Sequence, residues 1–382
     1  MRVLHITRDF PPQHRGGIST AVGGLARAQA RAGLDVAVLS FDAWRPHVGQ
    51  AVRTPPAAET RAGIAVLRVE SPAQLDAARA FARAQPPDLL HVHHGMLWEF
   101  AAELRAALGV PAVKSVHVVH SRMNELRGTR ERTRSLIGQD RALAAADRVI
   151  APSRAAAATL LAAYPDLAAR LRVAGHGIDD TAAAQAAAAR HATAPATGPL
   201  LAAGRFDDLK GTPELFDVLR AVLAVAPAAT CVVAGGLPAN RRAEQRWLQR
   251  WRAHTPAQLQ QRVRFTGWLE PAVLVACYRD AAALIAPSRY ETFGLVVLEA
   301  MLHGLPVAAT AAGGVIELIE HGASGLLSPP GDRAELTAHA LALATDPVLA
   351  ARLSRGAAVR VRAAHLWEHA LPRHLAVYSE LC

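Results

Sequence analysis

Pro287-Ser288-Arg289-Tyr290-Glu291-Thr292-Phe293-Gly294-Leu295-Val296-Val297-Leu298-Glu299-Ala300-Met301 joins the end of an apolar strand, a tight polar turn and the start of a helix. Ala281 to Ala286 reads as the strand, Thr292 as a helix cap, and Leu295 to Leu302 as an apolar helix, with Gly294 letting backbone pass close to a ligand. Amides around Phe293, Gly294 and Leu295 would then sit at a helix N-terminus, where the dipole and unpaired N–H groups favour a phosphate. Glu291 and Glu299 flank this cradle. A carboxylate beside a phosphate is repelled unless it accepts hydrogen bonds from hydroxyls, so the combination points to a ligand carrying both phosphate and sugar.

Outward from this stretch, the chain alternates strand and helix signals over 382 residues, enough for two α/β domains. Hydrophobic residues at 51% and charged residues at 19% describe a globular protein and exclude disorder. The first residues carry charge too early for a secretory leader, and no apolar window reaches spanning length. Cys231, Cys277 and Cys382 are widely spaced without metal-ligand spacing, which predicts reduced thiols and a cytoplasmic protein. A net charge of +10 would attract phosphates, acidic lipids or nucleic acid without choosing among them. Only Lys114 and Lys210 are lysines in an otherwise arginine-based set, so each is a candidate for a place needing an ammonium.

Met1 to Thr7 reads as a first strand, followed by a loop with Gly16-Gly17 and a helix from Ala21 to Ala32; Asp35 to Ser40 reads as the second strand. Phe41 to Gly63 reads as a variable polar loop. Asp88 to Gly95 and Val113 to His120 are strands feeding histidine-rich ends, which brings His91, His93, His94, His117 and His120 to one sheet edge. No carboxylate or cysteine completes a metal set there, so no metal is expected. Ser121 to Arg134 reads as a solvated arginine face on a helix. Thr181 to Gly198, rich in alanine, reads as linker.

Further along, Gly204-Arg205-Phe206-Asp207-Asp208-Leu209-Lys210-Gly211 has the form G-R-x4-K-G, Glu291 and Glu299 form E-x7-E, and Gly313-Gly314 with Glu317 forms G-G-x-x-E. With Asp147 to Ser153 and Ala174 to Asp179, these strings make nearly the whole chain resemble the retaining GT-B glycosyltransferases of family 4. His176 departs from the family pattern, which has asparagine there. The resemblance implies two Rossmann-like domains facing across a cleft, with an acceptor-side domain over 1–180, a linker over 181–198, a nucleotide-sugar domain over 199–360 and a C-terminal helix over 361–382 crossing back.

By the same resemblance, Glu299 holds ribose hydroxyls, Arg205 and Lys210 hold the diphosphate, and Glu291 contacts the transferred sugar, so Glu291 and Glu299 are not a glycosidase acid–nucleophile pair. Gly17, Phe293, Gly294 and Leu295 approach the donor, His117 orients the sugar, and the turn closing Arg262 to Trp268 lies near the nucleobase. The implied donor is a nucleoside-diphosphate sugar used as substrate, with no cofactor and no metal. The acceptor stays open among glycans, lipid-linked glycans and small metabolites, with basic charge tilting toward an anionic or membrane-proximal one and a peripheral location. Two rival readings are a GT-B nucleotide-sugar epimerase and a basic nucleic-acid-binding protein. G-R-x4-K-G with E-x7-E favours transfer, and an aromatic content of only 5% argues against nucleic acid.

Overall fold

The computed structural model describes residues 1–13, 16–42, 57–193, 198–237 and 240–382. They form two compact α/β units, Met1–Gly177 with Trp367–Cys382, and Ile178–Leu366.

The first unit is built on β1 (Arg2–Thr7), β2 (Asp35–Ser40), β3 (Ala57–Arg61), β4 (Ile64–Arg68), β5 (Leu89–Val92), β6 (Ala112–Ser115), β7 (Arg148–Ala151) and β8 (Leu171–Val173). Their order in the sheet is β3-β4-β2-β1-β5-β6-β7-β8, and every pairing is parallel except β3 with β4. The order turns round between β1 and β5, the kind of switch point at whose strand carboxyl ends open α/β sheets bind ligands. His5 on β1 and His91 on β5 face each other in register across this switch.

The second unit carries β9 (Leu200–Ala203), β10 (Cys231–Ala234), β11 (Val263–Gly267), β12 (Ala283–Ala286), β13 (Val307–Thr310) and β14 (Leu326–Ser328), in the order β11-β10-β9-β12-β13-β14, all parallel. Its strands are short apolar runs because both faces are buried. Leu201, Val232, Ala234, Leu284, Val307 and Ala309 pack with Leu298, Met301 and Leu318 on one side. Their alternates Leu200, Ala202, Cys231, Val233, Ala283, Ile285 and Ala308 pack with Phe216, Leu219, Trp251, Leu336 and Leu343 on the other. The switch in this sheet lies between β9 and β12. The Arg205–Lys210 loop leaves β9 and the Glu291 turn leaves β12, so the two strings singled out in sequence emerge side by side for a topological reason.

Four expectations need correction. Residues 182–193, read as linker, form the helix Ala182–Thr193 of the second unit, with Ala184, Ala187, Ala188 and His191 buried; alanine presents a shallow face that backbone can approach closely, as Gly304 does against Ala188. Residues 194–197 of that stretch lie outside the described set. The loop expected through Gly63 gives way at 57 to the edge strand β3, turned into β4 by Ala62 and Gly63 at positive φ; its residues 43–56 lie outside the described set. Ser121 to Arg134 is two helix pieces, His120–Leu126 and the start of Arg134–Ala145, separated by a turn at Gly128. The returning C-terminal segment begins at Trp367, because the helix Pro347–Ala364 packs within the second unit. The segment that returns, Trp367–Ser379, belongs to the first unit, where Trp367 covers Gly24 and Tyr378 is fully buried. All three cysteines are free, and burial pushes the Cys231 thiol up to about 12.

Candidate functional site

In the second unit, backbone stitches the β9 loop to the β12 turn. Arg289 and Tyr290 donate their backbone N–H groups to the Leu209 carbonyl at 2.8 and 3.1 Å. Gly211, at φ +70°, lies so near the Pro287 carbonyl that a Cβ would come within 1.9 Å of it. Arg289 Nε also donates to the buried Glu214 carboxylate at 2.8 Å, which anchors the turn to the helix Thr212–Val225. The two loops are thereby held in one fixed geometry, the condition electrostatic preorganisation requires.

On this frame Lys210 Nζ meets Glu291 Oε1 at 2.5 Å, and Ser288 Oγ donates to the same oxygen at 3.1 Å. Asp207 organises the other side: its Oδ1 accepts from the Lys210 backbone N–H at 2.8 Å, and its Oδ2 lies 3.4 Å from the Arg205 guanidinium. Arg205 is half exposed, so its fork is accessible to an anion. Sequence reasoning singled out Arg205, Lys210 and Glu291 but not Asp207 or Ser288; the signal for Asp207 was its place inside the G-R-x4-K-G string.

The helix Leu295–Leu302 opens on Gly294 at φ +103°, and Gly294, not Thr292, is its N-cap, without a capping side chain. A left-handed residue directly before the first turn ends the chain's approach abruptly, so the cap is set by backbone conformation rather than by a hydroxyl. Gly313 and Gly314 close over this turn: a Cβ on Gly313 would meet the Glu291 carbonyl at 1.9 Å, and Gly314 donates its N–H to that carbonyl at 3.2 Å. Phe293 is buried in the apolar cluster that also holds Val315 and Leu318. One turn and a half along the helix, the partly buried Glu299 accepts a 2.8 Å hydrogen bond from Tyr278 Oη, a partner the sequence did not indicate. Burial pushes the Glu299 carboxyl up to about 7, against the opposing pull of the Tyr278 hydroxyl.

The other two expected residues lie in the first unit. Gly17 is the first residue of the helix Gly17–Arg31, after Gly16 at φ +149°. His117 follows β6, its Nε2 3.0 Å from His93 Nδ1, and its ring stacks on that of His176 with centroids 5.3 Å apart. The histidine that replaces the family's asparagine at 176 is thus a packing partner of His117. Lys114 is buried beneath, with Nζ donating to the carbonyls of His93 (2.9 Å) and Ser115, and burial brings its pKa down to about 7.

Residues 15–182 match the model described as Glycosyltransferase Family 4, and residues 197–346 match Glycosyl transferases group 1. A D-inositol 3-phosphate glycosyltransferase of Acidothermus cellulolyticus is 30% identical over 388 residues, covering 96% of this chain and 86% of that one. This chain belongs to glycosyltransferase family 4. A second relative, glycogen synthase of Mycobacterium tuberculosis, is 29% identical over 398 residues, covering 96% of this transferase and 92% of its relative. Among solved structures, sucrose-phosphate synthase of Thermosynechococcus elongatus superposes with a TM-score of 0.77 at 24% identity, covering 99% and 98% of the two chains. Anabaena HepE in complex with UDP-glucose gives 0.76 at 21% identity over the full length of both. The fold of this glycosyltransferase is therefore GT-B.

Proposed function

We propose that this glycosyltransferase moves a hexosyl group from a nucleoside-diphosphate sugar to a hydroxyl-bearing acceptor with retention of anomeric configuration and without a metal ion. The observation that carries the reading is the Lys210–Glu291 pair, held beside the Gly294 helix start with Glu299 on the same helix. In this reading the donor's diphosphate takes Lys210 and Arg205, and Glu291, released from its cation, accepts hydrogen bonds from the transferred sugar. Glu299 accepts from the ribose hydroxyls, with the amides of Phe293, Gly294 and Leu295 near the phosphates. The bond from the anomeric carbon to the phosphate oxygen breaks, a bond from that carbon to the acceptor oxygen forms on the same face, and the departing phosphate takes the acceptor's proton. Cations fixed before the diphosphate leaves lower the barrier without reorganisation.

The Anabaena neighbour's complex with UDP-glucose supports a nucleotide-sugar donor, and the relatives' names, glycogen synthase and D-inositol 3-phosphate glycosyltransferase, point to no single acceptor. We infer an anionic or membrane-proximal acceptor from the +10 charge, and action in the cytoplasm at the inner face of the membrane. Among the described residues no helix is long and apolar enough to cross a membrane. Heat unfolding with millimolar UDP, GDP, ADP and dTDP tests the donor site. One nucleotide at about a hundred times its Kd adds roughly 2.7 kcal/mol, and Lys210→Ala and Glu299→Ala should lose that response. A wild-type protein that no nucleotide stabilises would remove the reading.

A further inference from the structure

The helix Arg241–His254 of the second unit divides its residues by charge as well as by burial. At about 100° per residue, Ala243, Glu244, Trp247, Leu248 and Trp251 fall on one half of its circumference, and Arg241, Arg242, Arg246, Arg250 and Arg252 on the other, with two glutamines between them. The first half faces the protein: Trp251 is buried, Trp247 and Leu248 pack against the core that holds Phe216 and Leu219, and Glu244 accepts a 2.6 Å hydrogen bond from the Leu237 backbone N–H. The five arginines of the second half are all exposed. Among the described residues none of them has a carboxylate partner, and Arg250 lies over the Trp247 ring, 5.7 Å from its centroid, a contact that leaves its charge in place. We propose that this face is the surface with which the protein docks on an anionic lipid bilayer. It rests on the membrane-proximal location inferred above and on no part of the donor site.

Solvation alone is a poor account of such a face. Elsewhere on this chain helical arginines stand one turn from a carboxylate, as Arg79 does from Asp76, Arg122 from Glu125 and Arg220 from Asp217. Here Arg242, Arg246 and Arg250 follow one another at i, i+4 and i+8, where like charges repel, and Arg241 and Arg242 sit in the first turn, where the helix dipole disfavours cations. The helix gives up stability to keep this charge. Arg241 to Arg252 span roughly 16 Å of helix axis, about two Debye lengths at physiological salt, so a flat anionic surface meets all five guanidinium groups together.

A bilayer fits this face better than a nucleic acid does. Bases need exposed rings on which to stack, and here Trp251 is buried and Trp247 is half-buried beneath Arg250. The helix Thr212–Val225, whose Phe216 meets both tryptophan rings edge-on, packs on the same side of the sheet and leaves Ala221, Ala224 and Val225 exposed, Val225 to 64%. Small apolar groups beside a cationic row suit the boundary between lipid headgroups and acyl chains, and they offer a nucleic acid's phosphate backbone nothing to bind.

Cosedimentation of the full chain at low salt with phosphatidylcholine vesicles, with and without an equal part of phosphatidylglycerol, tests the docking surface. Binding is expected to the anionic vesicles alone, and high salt should abolish it. Each arginine near such a surface strengthens binding about fivefold, so Arg242→Gln, Arg246→Gln and Arg250→Gln together should weaken it on the order of a hundredfold. Arg83→Gln, Arg127→Gln and Arg130→Gln, which remove as many exposed charges from the first unit, should weaken it far less. Equal losses in the two triple variants would show that net charge alone is at work and would overturn the surface while leaving the membrane location. Arginine labelling of the wild type with phenylglyoxal needs no variant and decides the matter if the triple variant fails to fold. Anionic vesicles should shield Arg242, Arg246 and Arg250 and leave Arg83 and Arg127 reactive; labelling that the vesicles do not alter at the three helix arginines would overturn the proposal. Binding to duplex or single-stranded DNA but not to vesicles would overturn it in favour of a nucleic acid. A protein that binds neither kind of vesicle loses the surface together with the membrane location, whereas its response to nucleotides on heating tests the donor site separately.

Discussion

Glu299 shows how one environment sets the working range of a side chain. Burial raises the pKa of its carboxyl to about 7 while the Tyr278 hydroxyl pulls it back. If it accepts hydrogen bonds from ribose hydroxyls, the carboxylate is the better binding form, and that form is populated above the folded pKa. Nucleotide affinity should accordingly weaken by about tenfold on going from pH 8 to pH 6, measured by calorimetry with whichever nucleotide stabilises the protein. Tyr278→Phe removes the hydrogen bond that favours the ionised form, so the midpoint of that profile should move to higher pH. An affinity that is flat between pH 6 and 8 would rule out Glu299 as the ribose ligand. At Lys210 the expectation is different in kind: Lys210→Gln keeps much of the length but strips Glu291 of its counter-charge, so nucleotide binding should fall at every pH without a change in the profile's midpoint.

At the level of elements, the site depends on loops that touch backbone to backbone. Gly211 and Gly313 combine positive φ with a carbonyl 1.9 Å from where a Cβ would stand, whereas Gly331 has φ +89° and open space around it. Gly331→Ala should cost only the conformational strain, about 1 kcal/mol, while Gly211→Ala and Gly313→Ala should cost about 1–3 kcal/mol more, because the loops must also part. Denaturant unfolding of the three variants checks this, and equal losses would show that the stitching contributes nothing. These glycines were legible in the sequence because each sits inside a short string whose conformation is local. The strands and the Leu295–Leu302 helix were legible for the same reason. The Ala182–Thr193 helix was not, since alanine alone gives no periodic contrast between large apolar and polar residues. The buried 2.8 Å hydrogen bond from Gln29 Nε2 to Tyr378 Oη was out of reach too: it joins positions 349 apart, and only the return of the Trp367–Ser379 helix to the first unit makes it.

For the molecule as a whole, the buried histidines tie stability to pH with a definite sign. His5 and His374 have folded pKa values of about 4, and His94 and His176 about 3, all lowered chiefly by burial from an ordinary 6.5. Between those values the unfolded chain binds more protons than the folded one, so stability falls as the pH drops from 6.5 toward 4. A shift from 6.5 to 4 amounts to about 3 kcal/mol for a single group, and several such groups exceed the whole margin of about 5–15 kcal/mol by which domains are stable. Lys114, lowered to about 7 from 10.5, extends the same slope upward: its folded form also holds fewer protons than its unfolded form between pH 7 and 10.5. Glu299 works in the opposite sense between 4.5 and 7, because its folded form holds the extra proton, but it is one group against many. Heat unfolding should therefore show a midpoint that falls steeply below pH 6.5, with acid unfolding complete above pH 4, and a net uptake of several protons on unfolding at pH 5. A thermal midpoint unchanged between pH 7 and 5 would mean that these rings are charged inside the folded protein.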